Sequence, residues 1–396
     1  MSVWVFLTAW LSLSCCIVPG VAAAAEAEGK GPIRVGVTVS LVGKYEQPGR
    51  AELEGLQMWA YDVNTRGALL GRKVEIVYHD DQSDAQMSAE LYERLITQDK
   101  VDLLVGPYSS ELTMEASSVA EQHAFPMVAA GAASSAIWER GYKNIFQIDA
   151  GAGIYMDLPL NFAKEQGLSR VALIHAESEF PNEVAAGARR AAAALGMSIV
   201  FDEAYAEGAT EFADIIGRMR GTEPEVVLGG TYLDDSVAFM RQAKKSGLSP
   251  KLIAFTVGPA LPEFGEALGA DAEGVTGAVA WMRGAALPMA QDFSYRYKEK
   301  FGHNAGMHAV YGYAAGQVLE AGVRLAGSLD KDRIREELGG LKFRSLMGRY
   351  RVDERGMQLD KSIYLMQWQD GRRRLVLPEN FARNKVEFPF KPWSER

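Results

Sequence analysis

The sequence predicts an α/β fold of two doubly wound, Rossmann-like lobes, and three observations predict it. From Ile33 onward, short β-branched runs alternate with segments whose apolar residues recur at helical spacing. That alternation is the pattern of parallel sheets joined by right-handed crossovers. It occurs as two successive series, one before and one after Ala150, which makes two lobes and not one overgrown sheet. The chain of 396 residues, 48% hydrophobic and 23% charged, is also long enough for two independent cores.

Taken in order, IRVGVTV at 33–39 reads as a strand buried on both faces. Residues 49–64 then carry Leu53, Leu56, Trp59, Ala60 and Val63 along one helical stripe. VEIVY at 74–78 is the next strand, and Ser83-x-x-Gln86 reads as a capping box opening a helix to Ile96. VDLLVG at 101–106, a helix over 109–123 and PMVAA at 126–130 complete the first series. The second begins with a helix around 155–166, then VALIH at 171–175 and a helix over 182–195. MSIVF at 197–201, a helix over 211–220, EVVLGG at 225–230 and a helix over 234–246 follow. LIAFTV at 252–257 and GVTGAVAW at 274–281 end it. The helices over 292–301, 309–326 and 331–338 are too strand-poor for a third domain and return to the first lobe. A hairpin-like pair, 348–352 with 363–368, extends the second lobe, and the tail from Gly371 wraps the surface. No period of 20–50 residues recurs, which excludes a solenoid.

Residues 3–18 form an apolar run holding both cysteines, Cys15 and Cys16. Pro19-Gly20 breaks it before the small-residue stretch 22–25. This reads as a secretory signal peptide over residues 1–25, although no Lys or Arg precedes Lys30. Cleavage there leaves a mature chain without cysteine, which folds without disulfides. No later stretch reaches the roughly 18 continuous apolar residues of a membrane helix. A soluble, exported protein is expected.

The net charge of −9 argues against a nucleic-acid footprint and against a polybasic membrane surface. No G-x-x-x-x-G-K-[ST], G-x-S-x-G or H-E-x-x-H occurs. Asp80-Asp81-x-x-Asp84 lacks the EF-hand spacing and reads as a solvated loop. His303 and His308 read as polarity at a helix entry, and His175 as a satisfied core histidine. No His can be placed beside Ser110, so a hydrolase has no base. No enzyme activity, cofactor or metal is expected.

What remains is a ligand cleft. In open α/β sheets ligands sit beyond the carboxyl ends of the strands, near helix N-termini. The loop after 101–106 reads Pro107-Tyr108-Ser109-Ser110, whose hydroxyls and helix amides suit a carboxylate. The loop after 126–130 reads Gly131-Ala132-Ala133-Ser134-Ser135, small residues that let the backbone approach a ligand. The same serines suit helix capping, and the two roles are compatible.

These loops belong to segments that carry a resemblance: IRVGVTVSLVGKY, NTRGALLGRKVEIVYHDDQSD, VDLLVGPYSS, FPMVAAGAASSAIWERGYKNIF and AVYGYAAGQVLEAGV. Residues 32–375 resemble type I periplasmic solute-binding proteins of the leucine/isoleucine/valine-binding family, which serve ABC importers. The resemblance implies lobes joined by a three-segment hinge: 32–149 plus 282–347, and 150–281 plus 348–375, with a tail over 376–396. It also implies a periplasmic monomer that delivers a small solute to an inner-membrane ABC permease, without nucleic acid. A sensory module of the same fold, signalling to a membrane receptor, is the alternative.

Ligand contacts carry over unevenly. The resemblance puts the ligand carboxylate on Ser110, with Tyr108 and Ser109 beside it. Gly131, Ala132, Ala133 and Ser134 follow in the next loop, where Ser134 stands in for a threonine of the family. Phe180 falls on an aromatic covering position, Thr231 or Tyr232 on the position after the glycine pair, Trp281 on a later aromatic, and Tyr155 offers a further apolar face. The second-lobe acid that pairs the ligand ammonium falls near Thr256 and Val257, neither of which neutralises a cation. Either Glu177, Glu179, Asp234 or Asp235 takes over, or the ligand has no amine. The reading favours a small carboxylate with an apolar or aromatic body, ahead of an amino acid.

Overall fold

A computed structural model describes residues 1, 31–283, 287 and 289–395, so the signal-peptide reading and both cysteines lie outside the described residues. The first series is β1 (Ile33–Val39), α1 (Glu46–Thr65), β2 (Val74–Asp80), α2 (Ala85–Thr97), β3 (Leu103–Val105), α3 (Ser110–Gln122), β4 (Met127–Ala129), α4 (Ala136–Glu139) and β5 (Ile145–Gln147). Its strands form a five-stranded sheet of order β2-β1-β3-β4-β5, all parallel. The second series runs through α5 (Asp157–Glu165), β6 (Arg170–Ala176), α6 (Glu179–Ala194), β7 (Ser198–Tyr205), α7 (Ala213–Gly221) and β8 (Val226–Gly230). It continues with α8 (Leu233–Ser246), β9 (Leu252–Phe255), α9 (Val257–Ala260), α10 (Pro262–Leu268) and β10 (Thr276–Val279). Then come α11 (Ala290–Phe301), α12 (Met307–Ala326), α13 (Lys331–Gly340), β11 (Phe343–Ser345), β12 (Gly348–Tyr350), β13 (Tyr364–Gln369) and β14 (Arg372–Leu377). The second sheet has seven strands in the order β14-β13-β10-β9-β8-β6-β7, with β13 and β14 antiparallel.

Burial follows position in the sheets. β3, β4, β5, β8, β9 and β10 are buried at every residue because helices cover both faces. The edge strands β2 and β7 are largely half-buried or exposed. Among the C-terminal helices, α12 packs backbone to backbone on α1 and α13 packs on α12. A Cβ on Gly55 would overlap the Ala309 carbonyl oxygen, and one on Gly312 the Glu52 carbonyl oxygen.

Four expectations are corrected. Helix α2 is capped by Asp84, which accepts from the Met87 amide, and not by Ser83. The Ser83 hydroxyl is engaged elsewhere, donating to Val42 O and accepting from Tyr45 N. Asp81 is not a solvated loop residue: it is buried and accepts from the Thr38 and Ser40 hydroxyls at 2.9 and 2.6 Å. The segments at 348–352 and 363–368 do not pair. β12 turns back on β11, and Gly356 O and Gln358 N bond to Gln147 of β5. Residues 348–358 therefore lie beside the five-stranded sheet, and the chain returns to the seven-stranded one only after them. β13 pairs instead with β14 across Asp370-Gly371, both at positive φ, a turn whose twist matches the strands. The tail from Gly371 thus begins as an edge strand. Further on it lies along the second sheet's elements, with Phe390 N on Lys251 O and Trp393 Nε1 on Leu248 O. Among the described residues no helix is long and apolar enough to cross a membrane.

Candidate functional site

Strand order reverses beside β1 in one sheet and beside β6 in the other. At such a point neighbouring loops diverge and leave a crevice beyond the carboxyl ends. Here both crevices open on one chamber lined from both sheets. Tyr108, Ser109 and Ser110 reach it from the loop after β3, Gly131 and Ala133 from the loop after β4, and Asp149 from the end of β5. Phe180 after β6, Tyr232 after β8 and Val257 after β9 form the opposite wall. The first turns of α12 add Met307, His308 and Tyr311.

Ser110 Oγ accepts from Ala133 N at 3.0 Å and Ser134 N at 3.1 Å, fastening one loop to the next. With its lone pairs so used, its own proton is left to donate. Ser109, the N-cap of α3, has a buried Oγ without a partner. Two hydroxyls and the first amides of a 13-residue helix are the donors that suit an anionic group such as a carboxylate. Glycine is required at 131, where a Cβ would stand 2.6 Å from Tyr108 Cδ2 and 3.0 Å from Glu52 Oε2.

Asp149 is the acid of the chamber. Its carboxylate accepts from Ala150 N at 2.7 Å and from Tyr155 Oη at 3.2 Å. Burial pushes its pKa up to about 7, against the pull of those bonds, the Tyr311 hydroxyl and the charge of Lys361. Burial likewise pushes Lys361 down to about 8. Behind Gly131, burial and the charges of Asp81 and Asp149 hold Glu52 well above the carboxylate range.

The walls are aromatic, and one pair, Tyr45 with Tyr232, meets across the two series. Tyr155 and Phe180 stand edge to face at 5.2 Å, and Tyr45 and Tyr232 lie 5.6 Å apart. Polar ties close the mouth. Lys44 Nζ lies 2.7 Å from Glu111 and 2.5 Å from Glu207, and Tyr45 Oη lies 2.8 Å from Glu111 and 3.1 Å from Glu207, with one proton to share between them. Ser134 Oγ and Ser135 N donate to Glu183 Oε2 at 3.0 and 2.5 Å.

Of the residues the sequence singles out, Tyr108, Ser109, Ser110, Gly131, Ala133, Phe180, Tyr232 and Tyr155 share the chamber. Ala132 is buried in the core, with its carbonyl accepting from Gln147 Nε2. The Ser134 hydroxyl is spent on Glu183. Thr256 Oγ1 donates to Thr231 O at 2.6 Å and accepts from Thr231 N at 2.9 Å, pinning β8 to β9. Trp281 lines a wider groove beyond Met307, together with Trp368. None of Glu177, Glu179, Asp234 and Asp235 lines the chamber. Asp235 is tied to Tyr205 Oη and Tyr232 N. Sequence reasoning missed Asp149, Tyr311 and Met307, and took His308 for loop polarity. The signal for Asp149 was its place, two residues beyond the three-residue strand β5.

Two sheets whose parallel strands aim their carboxyl ends at one chamber define a protein that takes up a small solute between them. The chain belongs to the periplasmic binding protein family, whose model matches residues 32–373. It is 23% identical over 398 residues to "Leu/Ile/Val-binding protein homolog 7" of Brucella suis, covering 96% of this chain and 98% of that one. Among solved structures it shares its fold with the branched-chain amino acid transporter substrate-binding protein LivJ of Streptococcus pneumoniae, solved in complex with isoleucine. That match has a TM-score of 0.80 at 21% identity, over 90% of this chain and 100% of that one. It also shares the fold of an ABC transporter solute-binding protein of R. palustris in complex with benzoate. There the TM-score is 0.77 at 20% identity, over 87% and 96%.

Proposed function

We propose that this chain is the periplasmic substrate-binding component of an ABC importer, a monomer that captures a small α-amino acid and presents the closed form to an inner-membrane permease. The observation that carries the reading is that Asp149 and the Ser109–Ser110 hydroxyls line one chamber. The solute carboxylate docks on Ser109, Ser110 and the start of α3, while its ammonium takes Asp149 and displaces its proton. Asp149 thus supplies the acid that Thr256 cannot, and it does so from the end of β5. The lobe built on the seven-stranded sheet then closes by hinge rotation, covering the solute with Phe180 and Tyr232. The relatives' names and the isoleucine and benzoate complexes support a carboxylate ligand.

A second reading, an amine-free acid, is favoured by the aromatic walls and by an Asp149 whose pKa of about 7 lets it stay protonated beside a second carboxylate. Calorimetry with matched pairs separates the two. Valine should bind about tenfold or more tighter than 3-methylbutanoate, since a charge-assisted hydrogen bond is worth about 1.5–3 kcal/mol. Tighter binding of 3-methylbutanoate or benzoate would remove the ammonium from the site and leave solute capture standing.

A further inference from the structure

We propose that His308 determines specificity: its imidazole selects an amino acid whose side chain carries a neutral hydrogen-bonding group over one that is hydrocarbon throughout. The proposal rests on the amino-acid reading of the chamber and names the kind of amino acid. Two buried polar side-chain atoms on the wall lack a partner in the protein, Ser109 Oγ and His308 Nε2, and only the first has a task in that reading. Ser109 and Ser110 serve the carboxylate, and Asp149 with Tyr155 serves the ammonium. His308 is 2% exposed and lines the same chamber, yet its Nε2 has no partner in the protein. Unpaired buried polar atoms are costly, and native proteins leave very few.

The ring is also held in place. It stands edge to face with Tyr108 at 4.9 Å and with Tyr311 at 5.7 Å, on the first turn of a 20-residue helix. Burial pushes its pKa down to about 3, so at neutral pH it is an uncharged imidazole. A neutral imidazole offers one N–H and one lone pair, which suit a hydroxyl or an amide. It gives no charge to pair a side-chain carboxylate. The other nearby wall residues, Met307, Val257 and Ala278, are apolar. A leucine or valine side chain would therefore satisfy them and leave Nε2 orphaned in a closed site. A site built to hydrogen-bond its ligand discriminates strongly against the isostere that lacks the group.

Threonine and valine differ by a hydroxyl for a methyl and make the test. Calorimetry at pH 7 should show threonine bound about tenfold or more tighter than valine by the mature protein. In His308→Leu the ratio should fall to within about threefold or reverse, with valine affinity kept or raised. Valine bound as tightly as threonine by the wild type would overturn the proposal, and that arm needs no variant. So would a folded His308→Leu protein, checked by its thermal melt, that keeps the wild-type ratio. Asparagine against leucine repeats the comparison for an amide. If none of these amino acids binds while benzoate or 3-methylbutanoate does, the amino-acid reading fails first and takes this proposal with it.

Discussion

The two serines at the start of α3 differ by one position and should behave differently when removed. Ser109 Oγ has no partner within the protein, so Ser109→Ala deletes a buried, unpaired hydroxyl. Thermal melts should show stability unchanged or slightly raised, while calorimetry shows solute affinity down by about tenfold. Ser110 Oγ holds the Ala133 and Ser134 amides. Ser110→Ala orphans both, so it should lose about 1–3 kcal/mol of stability as well as affinity. Equal melting temperatures for the two variants would contradict this division of labour.

Asp149 makes a pH prediction at the same scale. Its folded pKa, about 7, lies above the ordinary aspartate value of 3.8. Between those values the folded protein holds a proton that the unfolded chain has released. Its contribution to stability is therefore largest below about pH 4 and declines as pH rises toward 7. Asp149→Asn should flatten that part of the melting-temperature profile, leaving the shares of Asp235 and Glu52, which shift the same way. Solute binding should show the converse. An ammonium favours ionised Asp149, so affinity should rise from pH 6 to pH 8 with proton release. Calorimetry in buffers of different ionisation heat measures that release, and proton uptake would contradict the ammonium assignment.

At the scale of elements, the contact between α1 and α12 sets where His308 and the chamber floor stand. Gly312→Ala would drive a methyl into the Glu52 carbonyl, which is backbone and cannot rotate away. The helices must separate, at a cost of about 1–3 kcal/mol as for other overpacked cores, with weakened binding through displaced His308. Denaturant unfolding measures it, and a neutral variant would show that the helices slide freely. This contact was invisible in the sequence, where Gly312 is one glycine among 40. The long elements were legible because periodicity reports burial: IRVGVTV, VALIH and the Leu53–Val63 stripe all fold as their patterns predict. The misses have physical causes. β5 has three residues, too few for any period, and with it went Asp149. Asp370-Gly371 is a strong two-residue hairpin signal, but its flanking strand RRRLVL begins with three arginines and reads as a polar tail. Asp81 looks solvated because it is charged, and it is buried because Thr38 and Ser40 bring hydroxyls to it from the end of β1. Spacing along the chain does not encode such a pairing.

For the whole molecule, the question is what holds the two sheets' elements closed around the chamber. The ties across the mouth are few and partly wet. Lys44, with a side chain 37% exposed, bridges Glu111 on its own side to Glu207 on the other, and Tyr45 Oη lies between the same two carboxylates, nearer Glu111. Exposed ion pairs contribute about 0–1 kcal/mol each, so this latch biases closure and does not enforce it. That is what a binding protein requires, because a closed state stable without solute would exclude the solute from its own site. Glu207→Ala removes the Lys44 tie across the mouth, leaves Tyr45 Oη on Glu111, and changes no residue of the chamber lining. Small-angle scattering of the solute-free protein should give a larger radius of gyration than wild type. Affinity should drop about three- to tenfold, the amount by which the closed population falls. With solute at saturation the two radii should coincide, since the Ser109, Ser110 and Asp149 contacts remain. Wild-type affinity should also weaken as salt rises, and that of Glu207→Ala much less, because the lost pair is the screened one. A variant with unchanged radius, affinity and salt dependence would move the control of closure to the Glu183 tie with Ser134 and Ser135.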